Sequence, residues 1–339
     1  MRKKDLRRVY VGIDVSKDKL NVAWHGLDGS LGEFEVTNDA TGHAEIIRRV
    51  TAGRIQEARV VLEATGSYGE RLVAALTVAE KIRVMVARPA AIKGFAKSMS
   101  QRGKTDRRDA IVMAGFAKTD NFKATPLLDP ALRQLRQLGR HMGQLIVRRA
   151  AVMNERHAAK AGADGSAVLF AAFDDEEKHL EALVQRLEDE IYHRIQAMPD
   201  ARAAAERLEQ IQGIKKRTVS RILPELLCMP KHLNAKQCVA YAGLDPRPNQ
   251  SGSSKAGTRW PISKMGNARL RHAMYMATLT AVQWFPPLSA FYARLKAAGK
   301  PNMVALTASM RKLLTAVWAI VAKGQAFNED KFTRRAAAA

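Results

Sequence analysis

The chain has 339 residues, of which 56 are Lys or Arg and 33 are Asp or Glu, giving a net charge of +23 with histidine neutral. That length admits two or three domains, and 47% hydrophobic residues is enough to build real cores, so a disordered basic tail is excluded. The surplus charge points to a polyanionic partner, of which nucleic acid is the usual one, while two cysteines, Cys228 and Cys238, are too few for a disulfide framework or a zinc site.

No secretory signal fits the amino terminus, since Met1–Arg8 is basic and leads into only a short apolar run. The longest apolar stretch, Leu313–Ala322, is about half of the ~20 residues that a membrane span needs and is expected to be a buried helix. A soluble, cytoplasmic, basic protein is the expectation.

From Val9 to about residue 122 the pattern alternates strand and helix. Val9–Ile13 is a β-rich run that stops at Asp14; Leu20–Trp24 alternates apolar and polar residues; Asp28-Gly29 supplies a turn before Glu33–Val36. A helix over Thr41–Val50 follows, then a strand at Arg59–Leu62, a helix over Tyr68–Glu80 and a strand at Ile82–Val86, with Pro89 opening a further helix where proline is tolerated. A strand meander followed by alternating helices and strands predicts an α/β domain with a mixed sheet over residues 1–122, in an order that matches a ribonuclease-H-like domain.

Between residues 123 and 200 no strand is expected. Leu135, Leu138, Met142 and Leu145 follow 3–4–3 spacing, continued by Val152, and Leu180, Leu183, Leu187, Ile191 and Ile195 repeat it after a break at Gly162–Ser166. Two long helices are predicted, either as an antiparallel hairpin or coiled-coil arm, or as amphipathic helices packed on a core. Residues 201–339 read as mostly helical, with Arg269–Val282 and Met303–Ala322 buried and the turn-rich Asp245–Gly257 irregular.

Several acids fall at element ends. Asp14 closes the first strand and Glu63 the fourth, while Thr105 is a plausible N-cap that puts Asp106 and Asp109 on one face of a helix. In an open sheet, residues just beyond strand ends converge on a crevice, and carboxylates gathered there repel one another unless cations sit between them. Mg²⁺ takes oxygen ligands and suits phosphoryl transfer. Singly, each acid also reads as a cap or a strand end. Lys93, Lys97, Arg102, Lys104, Arg107 and Arg108 surround Asp106 and Asp109, which suits a phosphodiester backbone better than a calcium buffer.

Two further segments are candidates on weaker grounds. Ser251-Gly-Ser-Ser-Lys255 reads by itself as a Ser/Gly linker, since no histidine partner or nucleophile elbow stands near it. Leu208–Thr218 places Gly213 between two short helices with Lys215, Lys216 and Arg217 following, like a helix-hairpin-helix that offers N–H groups to phosphate, though an ordinary helix turn looks the same. His141, His157 and His272 lack metal-ligand spacing.

Taken together, the motifs Val11–Lys17, Glu63–Tyr68, Lys104–Asp109, Ala242–Arg247 through Ser251–Ser254, Ser263–Asn267 and Arg269–Arg271 occur in an order and spacing that resembles the DEDD transposases of insertion sequences, described as bridge-RNA-guided recombinases. The resemblance covers nearly the whole chain. It implies a RuvC-like first domain over residues 1–122, in which Asp14, Glu63, Asp106 and Asp109 form an acidic tetrad holding Mg²⁺. It further implies a helical dimerisation arm over 123–200 and a transposase domain over 201–339 with Ser251 as the nucleophile. Attack on a DNA phosphate would leave a phosphoserine-linked strand and a free 3′-hydroxyl. A structured guide RNA would pair with donor and target double-stranded DNA, and Lys255 would join the other cations on the nucleic acid. Dimers of dimers are implied, the serine of one subunit completing the acidic site of another. Gln212–Lys215 departs from the Pro-Gly-Ile-Gly of many relatives. Rival readings are a Mg²⁺-dependent junction nuclease using water, a non-catalytic nucleic-acid-binding protein, and a sugar-kinase or actin-like ATPase, the last of which would need a second α/β half.

Overall fold

The computed structural model describes residues 7–63, 68–99, 106–126, 128–162, 165–247 and 261–329, with the side chain of Asp106 outside that set. The chain divides into two compact units, Met1–Leu127 and Leu128–Ala339.

The first unit is built on one five-stranded sheet. Strands β1 (Arg8–Val15), β2 (Lys19–His25) and β3 (Leu31–Thr37) form an antiparallel meander, and β4 (Glu57–Glu63) and β5 (Ile82–Ala87) add in parallel on the other side of β1, in the order β3-β2-β1-β4-β5. β1 therefore sits in the centre, and it runs two residues beyond the expected Ile13 boundary. Asp14 and Val15 pair with Asn21 and Leu20. The hairpin ladder satisfies their backbone groups, so a polar side chain at Asp14 does not end the strand.

Side-chain alternation gives the sheet two covered faces. Val9, Val11 and Ile13 of β1 with Val60 and Leu62 of β4 pack against Ile46 and Val50 of α1 (Ala40–Val50) and Leu72 and Leu76 of α2 (Glu70–Val78). On the opposite face, Tyr10, Val61, Met85 and Ala87 pack against Ile92 and Phe95 of α3 (Pro89–Ser98) and Val112, Met113 and Phe116 of α4 (Asp106–Ala117). Gly12 makes this second layer close. A Cβ there would stand 2.0 Å from the Ala110 carbonyl oxygen and 2.4 Å from the Ala114 nitrogen. The outer edge of β5 is partly covered by Thr125, whose N–H donates to the Val84 carbonyl and whose hydroxyl accepts from the Val86 N–H.

The second unit is helical among its described residues. α5 (Pro130–Ala161) and α6 (Ala167–Ala197) pack antiparallel, as their cross-links show: Arg156 with Asp174, Arg149 with Glu177 and Gln134 with Arg194. The predicted seam faces inward, with Leu135, Met142, Leu145, Val152, Leu180, Ile191 and Ile195 buried and Leu138, Leu183 and Leu187 packed beside them. α7 (Pro199–Glu209), α8 (Lys216–Leu226), α9 (Ala235–Tyr241), α10 (Ala268–Trp284), α11 (Pro286–Ala297) and α12 (Asn302–Lys323) complete the same continuous core. Among the described residues α12 is long and apolar enough to cross a membrane by length and composition, and half of its most apolar 18-residue stretch is buried in the protein. Its Trp318 is one of the largest fully enclosed side chains, and the indole N–H donates to the Leu233 carbonyl at 2.8 Å.

Candidate functional site

The acids of the first unit gather by register. Ile13 pairs with Leu62 across the parallel β1–β4 ladder, so the next residues, Asp14 and Glu63, lie side by side, Glu63 at the end of β4 and Asp14 one residue before the end of β1. Both belong to the alternation set of Gly12 and Val61, the set that faces α4. Asp14 is also opposite Asn21, and Asn21 opposite Glu35, so polar residues cross four strands at one level. Glu35 is engaged there by Lys19 at 2.7 Å.

α4 runs antiparallel to β1 over this face. Its Ala110 lies against Gly12 and Ala23, while Lys118, just past its end, lies close enough to His25, opposite Tyr10, to help depress that histidine's pKa after burial has done most of it. The helix amino terminus therefore points toward the strand ends that carry Asp14 and Glu63. Asp106 opens α4, and Asp109 lies one turn before the buried Met113, which places Asp109 on the sheetward stripe. Asp14, Glu63 and Asp109 are each half-buried. The opposite end of the same ladder is charge-compensated, with Glu57 held by Arg8 at 2.8 Å and Arg59 at 3.0 Å. Among the described side chains no three His, Cys, Asp or Glu close on a common point. The four candidates supply carboxylate oxygens alone, a donor set that fits Mg²⁺ and not a soft or imidazole-preferring metal.

A brace that the sequence reading missed ties the loops beyond these strand ends. The Asn38 side-chain amide donates to the carbonyls of Ser16 at 2.9 Å and Tyr68 at 3.2 Å, and its oxygen meets His43 Nε2 at 3.0 Å. It links the loop after β1 to the segment after β4. His43 is buried, and burial pushes its pKa below the ordinary histidine value. The signal was present only as an Asn between a strand and a helix, where capping is the usual role.

Among the cations, Lys93 and Lys97 are exposed on α3, and Arg107 and Arg108 are exposed on the first turn of α4, with Arg107 3.9 Å from Glu33. Arg102, Lys104, Lys255 and Ser251 lie outside the described residues, as does Thr105. In the second unit Lys216 pairs with Asp189 at 2.6 Å, and Arg217 with Glu188 at 3.2 Å and Glu181 at 3.5 Å. These two cations brace α8 against α6. Lys215 is exposed, and its ammonium donates to the Glu209 carbonyl at 2.9 Å across the hairpin. Gly213 turns that hairpin at φ +90°, with an added Cβ only 3.1 Å from the Ala281 backbone. The position needs glycine for both conformation and space.

The chain flanking residues 248–260 is tightly held. Pro246 bridges Ile262, the Arg247 N–H donates to the Pro261 carbonyl at 2.8 Å, and the Ser263 hydroxyl donates to Asp245 at 2.6 Å. Arg271 donates to the Ala242 carbonyl at 2.9 Å, and the Asn267 N–H to the Tyr241 carbonyl at 2.6 Å. The motifs Ala242–Arg247 and Ser263–Asn267 thus act together, as the two sides of one clamp at the base of that segment.

Two family models match the chain, and the first runs past the boundary between the two units into α5. A family model described as a transposase of the DEDD type, from the insertion element IS110, matches residues 11–159, and a second, described as a transposase of the IS116/IS110/IS902 family, matches residues 205–293. The chain is 28% identical over 334 residues to the pilin gene-inverting proteins of Moraxella bovis and Moraxella lacunata, covering 96% of this chain and 99% of each relative. It is also 27% identical over 131 residues to an uncharacterized 43.6 kDa protein of insertion element IS110 in Streptomyces coelicolor, covering 39% of this chain and 32% of that one.

Proposed function

Since the chain belongs to the IS110 family of DEDD transposases, whose business is DNA recombination, we propose that it is an RNA-guided recombinase that exchanges DNA strands through a phosphoserine intermediate. The observation that carries this reading is the side-by-side register of Asp14 and Glu63 near the ends of neighbouring parallel strands, with Asp106 and Asp109 in the first turn of α4, the helix that covers this face. The strand order β3-β2-β1-β4-β5, with its antiparallel meander and parallel extension, supports a ribonuclease-H-like (RuvC-like) architecture for this unit.

On this reading the four carboxylates hold Mg²⁺, which when bound stabilises charge on the attacking and leaving oxygens of phosphoryl transfer. Ser251 Oγ attacks the scissile phosphorus, the bond from phosphorus to the 3′-oxygen breaks, and the proton lost from Oγ ends, in net, on that departing oxygen, so the strand leaves as a free 3′-hydroxyl. A 3′-hydroxyl from the other duplex later attacks the phosphoserine and restores the serine. One phosphodiester is exchanged for another, so no nucleotide hydrolysis is needed. Lys93, Lys97, Arg107, Arg108 and Lys215, with Arg102, Lys104 and Lys255, contact backbone phosphates of guide RNA and of donor and target DNA. Lys216 and Arg217 contribute through the face that their α6 partners leave exposed. The α5–α6 pair serves as a dimerisation arm on the way to a dimer of dimers; Val147 and Met153 of α5 and Val168 and Leu169 of α6 are exposed apolar residues there.

The test is a denaturing gel of the protein with its RNA, labelled donor and target DNA and Mg²⁺. An SDS-resistant protein–DNA adduct is expected, lost in Ser251→Ala and in Asp14→Asn. Free cleaved strands that persist in Ser251→Ala would establish a water-using junction nuclease instead, and binding without cleavage would establish a scaffold.

A further inference from the structure

We propose that Glu225 is a positioning residue for strand cleavage, acting through Asn267 on the two chain segments that flank Ser251. The proposal rests on the serine reading above.

Among the described residues, Glu188 and Glu225 are the two buried carboxylates. Glu188 has an evident structural task, pairing with Arg217 and Arg221 between α6 and α8. Glu225 is different. It sits near the end of α8, is 4% exposed, and accepts a hydrogen bond from the Asn267 side-chain amide at 2.7 Å, with Arg140 of α5 3.5 Å away. A carboxylate so enclosed needs the Asn267 donor and the nearby guanidinium charge, since burial of an unpaired charge is costly.

Asn267 is where the constraint is passed on. Its side-chain oxygen accepts from the Arg269 and Leu270 N–H groups and caps α10, while its own N–H donates to the Tyr241 carbonyl. With its oxygen committed to the cap, its amide N–H₂ is oriented by the Glu225 carboxylate, with the Tyr241 side chain as a second hydrogen-bonding neighbour. The residues just before it have little freedom. Lys264 is held at φ +51° with its N–H on the Gly243 carbonyl, and a Cβ on Gly266 would stand 2.2 Å from the Tyr241 carbonyl oxygen and 2.3 Å from the Gly243 nitrogen. Moving Asn267 therefore moves residues 263–266 against residues 241–245, which is the clamp at the base of the 248–260 segment. Reacting groups must be placed to within about an ångström, and a misplacement of that size from a distant change can cost roughly 10²-fold in rate.

Glu225→Gln keeps an oxygen that can accept from Asn267, whereas Glu225→Leu keeps bulk and removes the acceptor. Both are made in the full-length protein and compared by amide hydrogen exchange, by nucleic-acid affinity and by the rate of adduct formation. For Glu225→Leu the expectation is faster exchange confined to residues 241–247 and 261–267, an adduct rate lowered about 10²-fold, and DNA and RNA affinity within about threefold of wild type. Glu225→Gln is expected to restore exchange protection and most of the rate. Unchanged exchange and rate in Glu225→Leu would overturn the proposal. So would faster exchange across the whole second unit with binding lost in step, which would make Glu225 a general stability residue. If the wild-type protein forms no adduct at all, the serine reading fails, and the exchange pattern still decides whether Glu225 governs the clamp.

Discussion

Gly12 shows how one residue sets the spacing on which the proposed acidic site depends. Its absent side chain is what lets the α4 backbone lie directly on β1, with Ala110, Met113 and Ala114 all at contact distance. In Gly12→Ala the new methyl group would meet backbone, which cannot rotate away, so α4 must shift outward as a body. The expected cost is about 2–3 kcal/mol, at the upper part of the range for overpacking a core, read as a lowered Tm. Because Asp106 and Asp109 ride on the first turn of α4, cleavage is expected to fall more steeply than stability predicts, while nucleic-acid affinity holds. An Ala variant that cleaves normally would show that the α4–β1 distance does not matter to the chemistry. Asn38 acts at the same scale from the other side, tying the loop after β1 to the segment after β4 with single hydrogen bonds.

At the level of elements, the contrast between two ion-paired clusters on α6 separates decoration from support. Arg149 bridges Glu177 and Glu181 with all three side chains about a third exposed, so Arg149→Ala is expected to cost under ~1 kcal/mol. Glu188 is enclosed, and it is the carboxylate on which Arg221 closes at 3.0 Å and Arg217 at 3.2 Å. Glu188→Ala strands a partly buried guanidinium and opens space, for an expected loss of about 2–4 kcal/mol, with the solvent-screened Arg217 contributing little. Chemical denaturation of the two variants checks the ranking, and equal losses would refute it. These elements also show how far the sequence was legible. The meander, the parallel extension and the apolar seams of α5 and α6 follow from periodicities that the chain carries locally, and so does the end of β4 at Glu63, whereas β1 continues one residue past Asp14 because the hairpin ladder holds it. What escaped is long-range: that α6 acids neutralise Lys216 and Arg217, that Asn38 bridges two loops, and that Glu225 meets Asn267 across 42 residues. No local pattern marks a residue whose partner is chosen by the packing of helices. The Ala242–Arg247 and Ser263–Asn267 motifs were visible as motifs, but their joint action as a clamp was not.

For the whole molecule, the charge of +23 fits the division of labour between protein and guide RNA that the proposed function requires. The exposed cations on α3 and α4 are suited to phosphate oxygens, which are the same for every sequence, whereas reading a base requires side chains set against its edge. A protein that grips backbones releases counterions in proportion to the phosphates it neutralises. Its DNA affinity is therefore expected to fall by roughly 10³-fold or more between about 50 and 200 mM salt. If base pairing supplies the specificity, guide-matched and unmatched duplexes will show the same salt slope with the RNA-bound protein and differ by a constant factor, because the protein's phosphate contacts are common to both. Without RNA the constant factor should vanish while the steep slope remains. Titrations of labelled duplexes across that salt range, with and without RNA, measure both quantities directly. RNA-free protein that still prefers one duplex at high salt would mean that base-reading side chains exist on this chain, and the delegation of specificity to RNA would have to be abandoned.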